Sequence, residues 1–196
     1  MPEPDGKVDV GSTDSAKKKD VPAEFAKVDF KNLSYPVNWK KKSVRLENGR
    51  HDYNDPEDYW NSFKLGDVYY VDLTGDGKKE AIVDLVWEHC GGSCDGGSHL
   101  FYFYAIQRGE LTLLQRISTG SLAYDCGLKS FTAGRETLII EVFRKCSYSG
   151  GTFISKQQLS KFEAHEFTRF TFEAVRGKFA LKKREVLPHP SGDVLN

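Results

Sequence analysis

Along most of this chain, hydrophobic and polar residues alternate in short runs separated by glycine-bearing turns. Asp67–Leu73 and Glu80–Glu88 read as strands around the loop at 72–80. His99–Gln107 and Glu110–Arg116 flank Arg108-Gly109, and Leu128–Thr132 and Glu136–Lys145 flank Ala133-Gly134-Arg135. Arg169–Val175 and Lys178–Val186 flank Arg176-Gly177. Short strands at regular spacing with glycine turns predict an all-β antiparallel meander of hairpins, folded into blade-like sheets or a curved sandwich. Upstream, Ser43–Leu46 runs into Asn48-Gly49, a strong hairpin-turn pair. Asp55-Pro56-Glu57-Asp58 carries an N-cap acid, proline at the first helical position and acids in the first turn. It predicts one short helix, anchored by Tyr59, Trp60 and Phe63. Residues 155–167 fit a helical turn or a strand.

Two strands break the one-sided pattern. In Phe101-Tyr102-Phe103-Tyr104 the phenylalanines point one way and the tyrosines the other. Ile82, Leu85, Val86 and Trp87 also lack clean alternation. Both point to a sheet covered on its two faces; the alternative is an aromatic face for a partner. Residues 1–24 are mostly polar and read as a disordered linker, since they have too little to bury to offset the entropy of ordering. Residues 25–187 then form a single domain, and 188–196 a frayed tail.

The chain has 196 residues, enough to bury a sizeable core. Lys+Arg and Asp+Glu total 28 each, a balance that argues against a nucleic-acid partner. No run approaches the ~18 apolar residues of a membrane-spanning helix, so a membrane is reached only through a tether in residues 1–24. Lys40-Lys41-Lys42 and Lys182-Lys183-Arg184 read as edge positions, where lysine discourages strand-to-strand association.

The four cysteines are Cys90, Cys94, Cys126 and Cys146. An even number among glycine- and aromatic-rich strands suggests disulfides and an oxidising compartment, periplasmic or extracellular, although no signal peptide is visible. Four cysteines allow three pairings. The favoured one is Cys90–Cys94, closing a short loop, with Cys126–Cys146 tying the ends of a hairpin. Four buried thiols in a cytosolic protein are the alternative.

The sharpest motif is Asp72-Leu73-Thr74-Gly75-Asp76-Gly77-Lys78-Lys79-Glu80. Calcium needs six to eight hard oxygens on a tight loop. Asp72, Asp76 and Glu80 would supply carboxylates, Thr74 a hydroxyl and Lys78 a backbone carbonyl. Position twelve, where an EF-hand needs glutamate, is Val83. The motif resembles the calcium loop of FG-GAP/VCBS-type repeats, found in integrin-like propellers. That resemblance implies bound Ca2+ and a loop joining two strands of one blade, here Val68–Leu73 and Ala81–Val86. Thr74 departs from the usual Asp or Asn. A metal-free hairpin held by Asx and glycine turns is the competing reading.

Residues 28–186 also resemble a group of single-copy bacterial exported proteins of unknown function. The matching stretches are Phe30–Pro36, Val44–Arg50 and Gly66–Val83, and the resemblance implies an exported location.

Other chemistry is thinner. His89, Cys90, Cys94 and His99 fit no zinc-module spacing. Asp84 and Glu88 on one strand face would stand ~13 Å apart, beyond the ~5–9.5 Å of a glycosidase pair. Ser93, Asp95 and His99 form a triad only on paper. The residues therefore favour a non-catalytic, calcium-stabilised extracytoplasmic β-domain that serves a protein partner as a binding or accessory subunit. A hydrolase working at residues 89–99 and a structural subunit of a membrane-associated complex are the alternatives. The loops 89–98 and 147–153 are expected to converge on one partner-binding surface containing Asp95, His99, Tyr148 and Phe153.

Overall fold

The computed structural model describes residues 8–9, 21–37, 43–55, 59–90, 97–121, 126–155, 166–175 and 177–188. Cys94, Asp95, Lys40–Lys42, residues 156–165 and the tail from 189 lie outside them, as do most of residues 1–24 and the side chain of Cys90.

Alternation and glycine turns do produce antiparallel hairpins. β1 (Val8–Asp9) precedes a short hairpin of β2 (Ser34–Pro36) and β3 (Ser43–Arg45). β4 (Arg50–Asp55), β5 (Tyr59–Val71), β6 (Glu80–Cys90), β7 (Ser98–Gln107) and β8 (Glu110–Ser121) then run as a meander. β9 (Leu128–Gly134) and β10 (Thr137–Phe143) form the next hairpin, followed by β11 (Cys146–Ser149) with β12 (Thr152–Ser155) and by β13 (Glu166–Val175) with β14 (Lys178–Pro188). They assemble into a seven-stranded sheet, β11-β12-β8-β7-β6-β5-β4, and a five-stranded sheet, β1-β9-β10-β13-β14.

The seven-stranded sheet is covered on both faces. Phe101, Phe103, Ile82 and Tyr69 pack against Phe131, Ile140, Phe170 and Phe172 of the five-stranded sheet. On the opposite face, Tyr102, Tyr104, Val83 and Leu85 lie under Phe25, Phe30, Tyr35, Val44 and Leu46 of the N-terminal segment. That cover is built from two 3-10 turns, Ala23–Phe25 and Phe30–Asn32, and the β2–β3 hairpin. Its buried phenols are satisfied: Tyr35 donates to Phe30 O at 2.7 Å and Tyr102 to Pro36 O at 2.9 Å.

Three local expectations change. Tyr59, Trp60 and Phe63 belong to a strand, not a helix. Phe63 pairs across with Trp87 and stacks on it at 6.0 Å, and such aromatic cross-strand contacts override the weak helix-start signal. Short helical structure sits in the N-terminal cover instead. Residues 147–153, read as a loop, are mostly strand: Ser147 pairs with Ile154 and Tyr148 with Phe153. Val8 and Asp9, inside the stretch read as linker, pair with Ala133 and Thr132.

Cys126 and Cys146 form a disulfide, and both residues are buried in the inter-sheet core. Lys182, Lys183 and Arg184 fall on β14, an edge strand.

Candidate functional site at the acidic turn

The acidic turn connects β5 to β6, whose register runs Val71 against Glu80 and Val68 against Val83. Gly75 and Gly77 take φ of +75° and +85°, which lets the eight residues between the strands fold back on themselves. Asp72 accepts from Gly75 N at 2.8 Å through one oxygen and from Gly77 N at 3.1 Å through the other. Asp76 accepts from Lys78 N at 2.9 Å. Glu80 accepts from Leu73 N at 2.7 Å and from the Thr74 hydroxyl at 3.2 Å.

Glu80 is 3% exposed. Burial, aided by the nearby Asp76 charge, pushes its carboxyl above the ordinary value, against the lowering effect of its hydrogen bonds from Leu73 and Thr74. Among the described residues, the one cation paired with these carboxylates comes from the other sheet. Arg135, in the β9–β10 turn, places Nε 3.7 Å from Asp72 Oδ2 and donates from Nη2 to Gly75 O at 3.2 Å.

The donor set is all oxygen and suits a hard cation. Its arrangement is not that of a closed metal centre. The carboxylates are turned onto loop amides, and among the described residues no three or more His, Cys, Asp or Glu side chains are placed to hold one ion.

A cleft of about 740 Å3 opens beside the turn, a size within the usual ~300–1,000 Å3 of ligand sites. Thr74, Asp76, Lys78, Lys79 and Glu80 form one wall. Arg108 of the β7–β8 turn, Gly177 of the β13–β14 turn and Glu24 of the first 3-10 turn also line the cleft, with Ala105–Gln107 and Leu114. Three hairpin tips thus meet at one end of the molecule, with the β9–β10 tip docked beside them through Arg135. The meeting of Arg108 with Gly177 at this end is not legible in sequence, because it depends on how the two sheets stack.

Of the four residues expected to share a partner-binding surface, three are described, and two of these, Phe153 and Tyr148, turn into the inter-sheet core. Phe153 is 2% exposed and packs on Phe170 at 4.7 Å. Tyr148 packs on Phe172 at 4.9 Å. Asp95 lies outside the described residues. His99 faces Asp84, with Nδ1 3.0 Å from both carboxylate oxygens. That pair sits at a β-bulge, where Gly66 and Asp67 oppose the single residue Asp84 between the Leu65–Leu85 and Val68–Val83 pairs. His89 lies on the other face of the sheet, beside Trp87 at 6.3 Å, so it does not join His99 around a zinc ion.

No family model matches the chain, and no curated protein or solved structure is similar to it.

Proposed function

We propose that this protein is a non-catalytic binding or accessory β-domain that receives a protein partner at its hairpin-tip end and is stabilised there by calcium. The observation that carries the reading is the cleft beside the acidic turn. Rigid strands hold several loop tips around one concavity, the common arrangement of recognition sites on β scaffolds. Among the described residues the lining mixes charged, polar and apolar side chains, the usual make-up of a recognition cleft.

Calcium is supported by chemistry and charge. Asp72, Asp76 and Glu80 bring three carboxylates to one short turn, Glu80 in a buried place that penalises its charge. Of the described cations, Arg135 alone pairs with them, and it is 59% exposed. A divalent ion would remove the repulsion and the burial penalty together. The likeness of the motif to FG-GAP/VCBS loops adds support from sequence. Asp72, Asp76, Glu80, Thr74 and the Lys78 carbonyl are the groups that would hold the ion.

An oxidising compartment is supported by the Cys126–Cys146 bridge. Calorimetric titration of calcium into the intact chain tests the metal site. Saturable binding that Asp76→Ala removes is the expected result; no heat above dilution in the wild type contradicts it.

A second reading, a hydrolase, has one observation in its favour. Asp84 on Nδ1 orients His99 as a carboxylate orients a general base. Ester turnover by the wild type that His99→Ala abolishes would favour that reading.

A further inference from the structure

We propose that the far end of the seven-stranded sheet carries a second ligand site, a recess for a small organic acid made of one compact apolar group and a carboxylate. The recess is about 220 Å3 and is lined by Val37, Phe63, Trp87, Leu100, Arg116, Ser118 and Thr152. It opens on the face that the N-terminal segment covers, beside Val37. Trp87 is seven residues along β6 from Glu80, about 23 Å from the acidic turn at strand rise.

The walls are preorganised. Phe63 stacks between Tyr53 and Trp87 with interplanar angles of 8° and 10°. The Trp87 indole N–H donates to Asn61 Oδ1 at 3.1 Å, and Asn61 is fully buried. Ser118 Oγ and Thr152 Oγ1 lie 3.0 Å apart at the opposite wall. Val37, Phe63, Leu100 and Ser118 are each less than a tenth exposed, so this is a depression in the packed face and not a flat patch. Its volume is below the ~300–1,000 Å3 of drug-sized sites, with room for one ring or one branched chain.

Arg116 supplies the charge selectivity. Its Nη1 donates to Pro36 O at 3.2 Å, the carbonyl that also accepts from the Tyr102 phenol. A guanidinium has five N–H donors and stays charged at any working pH, so donors remain. Among the described residues no carboxylate pairs with it. A fixed, half-buried cation above an apolar floor selects a ligand that is apolar at one end and anionic at the other.

The test uses the full 15N-labelled chain, with the Trp87 indole signal assigned by Trp87→Phe. Phenylacetate and its neutral analogue phenylacetamide are each titrated in. The proposal expects a saturable shift with phenylacetate and binding roughly tenfold weaker for the amide, the size of one lost charge-assisted contact. Arg116→Gln, a change at the half-exposed rim, should bring the acid down to the level of the amide. No saturable shift with either compound overturns the proposal. Equal affinity for acid and amide in the wild type also overturns it, because Arg116 would then not be reading charge. Neither outcome depends on calcium, so failure here leaves the acidic-turn reading standing and the reverse.

Discussion

Glu141 shows how single residues are held in this protein. It is 6% exposed, yet it receives Lys129 at 2.9 Å, Ser130 at 2.8 Å and Arg169 at 2.8 Å. Burial alone would raise its carboxyl, but these three donors outweigh burial and hold it below the ordinary value of 4.5. A carboxylate lowered in the folded state adds stability above its unfolded value, and that stability is lost as the pH falls through the folded value. Glu141→Gln should therefore cost about 1–3 kcal/mol at pH 7 and clearly less near pH 3, measured by urea unfolding. An equal cost at both pH values would contradict this assignment. Glu80 has the opposite sign. Its raised carboxyl favours folding most below 4.5 and loses that advantage as the pH rises through the folded value. Without calcium at pH 7, Glu80→Gln should therefore be at least as stable as the wild type. It should also lose any gain from calcium. A drop in metal-free stability would mean that the charge serves the Leu73 and Thr74 hydrogen bonds.

At the scale of elements, hairpins with glycine turns were readable because turn chemistry is local. Arg108 and Gly109 take φ of +54° and +82°, as the β7–β8 turn requires. Asn48 and Gly49 also form a tight turn, closed by Glu47 and Arg50. The strands it joins, β3 and β4, nonetheless enter different sheets, a choice no local signal carries. The sequence pattern starts β5 at Asp67, eight residues after its observed start at Tyr59. The bulge at Gly66-Asp67 interrupts its alternation, and Asp55–Asp58 resembles a helix cap. The 3-10 turns of the cover have no period to detect, although Phe25 and Phe30 on them are buried. β11–β12 was missed because Ser149-Gly150-Gly151 reads as loop. Gly151 has φ +86°, and a Cβ there would sit 3.0 Å from the Arg116 carbonyl oxygen. Gly151→Ala should cost about 1–3 kcal/mol through that backbone strain; a neutral result would show that the β11–β12 turn can relax. The Cys126–Cys146 bridge spans 20 residues. Reducing it should cost about 3 kcal/mol, read as a lower denaturation midpoint. No change in midpoint would show that packing alone fixes β11.

At the scale of the whole molecule, the two-sided burial of the large sheet was legible in Phe101–Tyr104, whose side chains do divide between the two cores. The candidate site was legible only as the acidic turn. Its surroundings come from chain segments far apart in sequence: Glu24, Arg108, Arg135 and Gly177. Arg135 matters most, because it links the turn on one sheet to a hairpin of the other. The turn is therefore a clasp between sheets, and whatever neutralises its charge should stabilise the whole domain and not only the loop. A ligand that binds only the folded state raises stability by mass action, by about 2.7 kcal/mol at one hundred times its Kd. The direct measurement is thermal unfolding of the wild type and of Asp76→Ala, each in calcium and in EDTA. Calcium should raise the wild-type Tm by several degrees and leave Asp76→Ala unchanged. An identical wild-type Tm in calcium and in EDTA would contradict the calcium-stabilised domain.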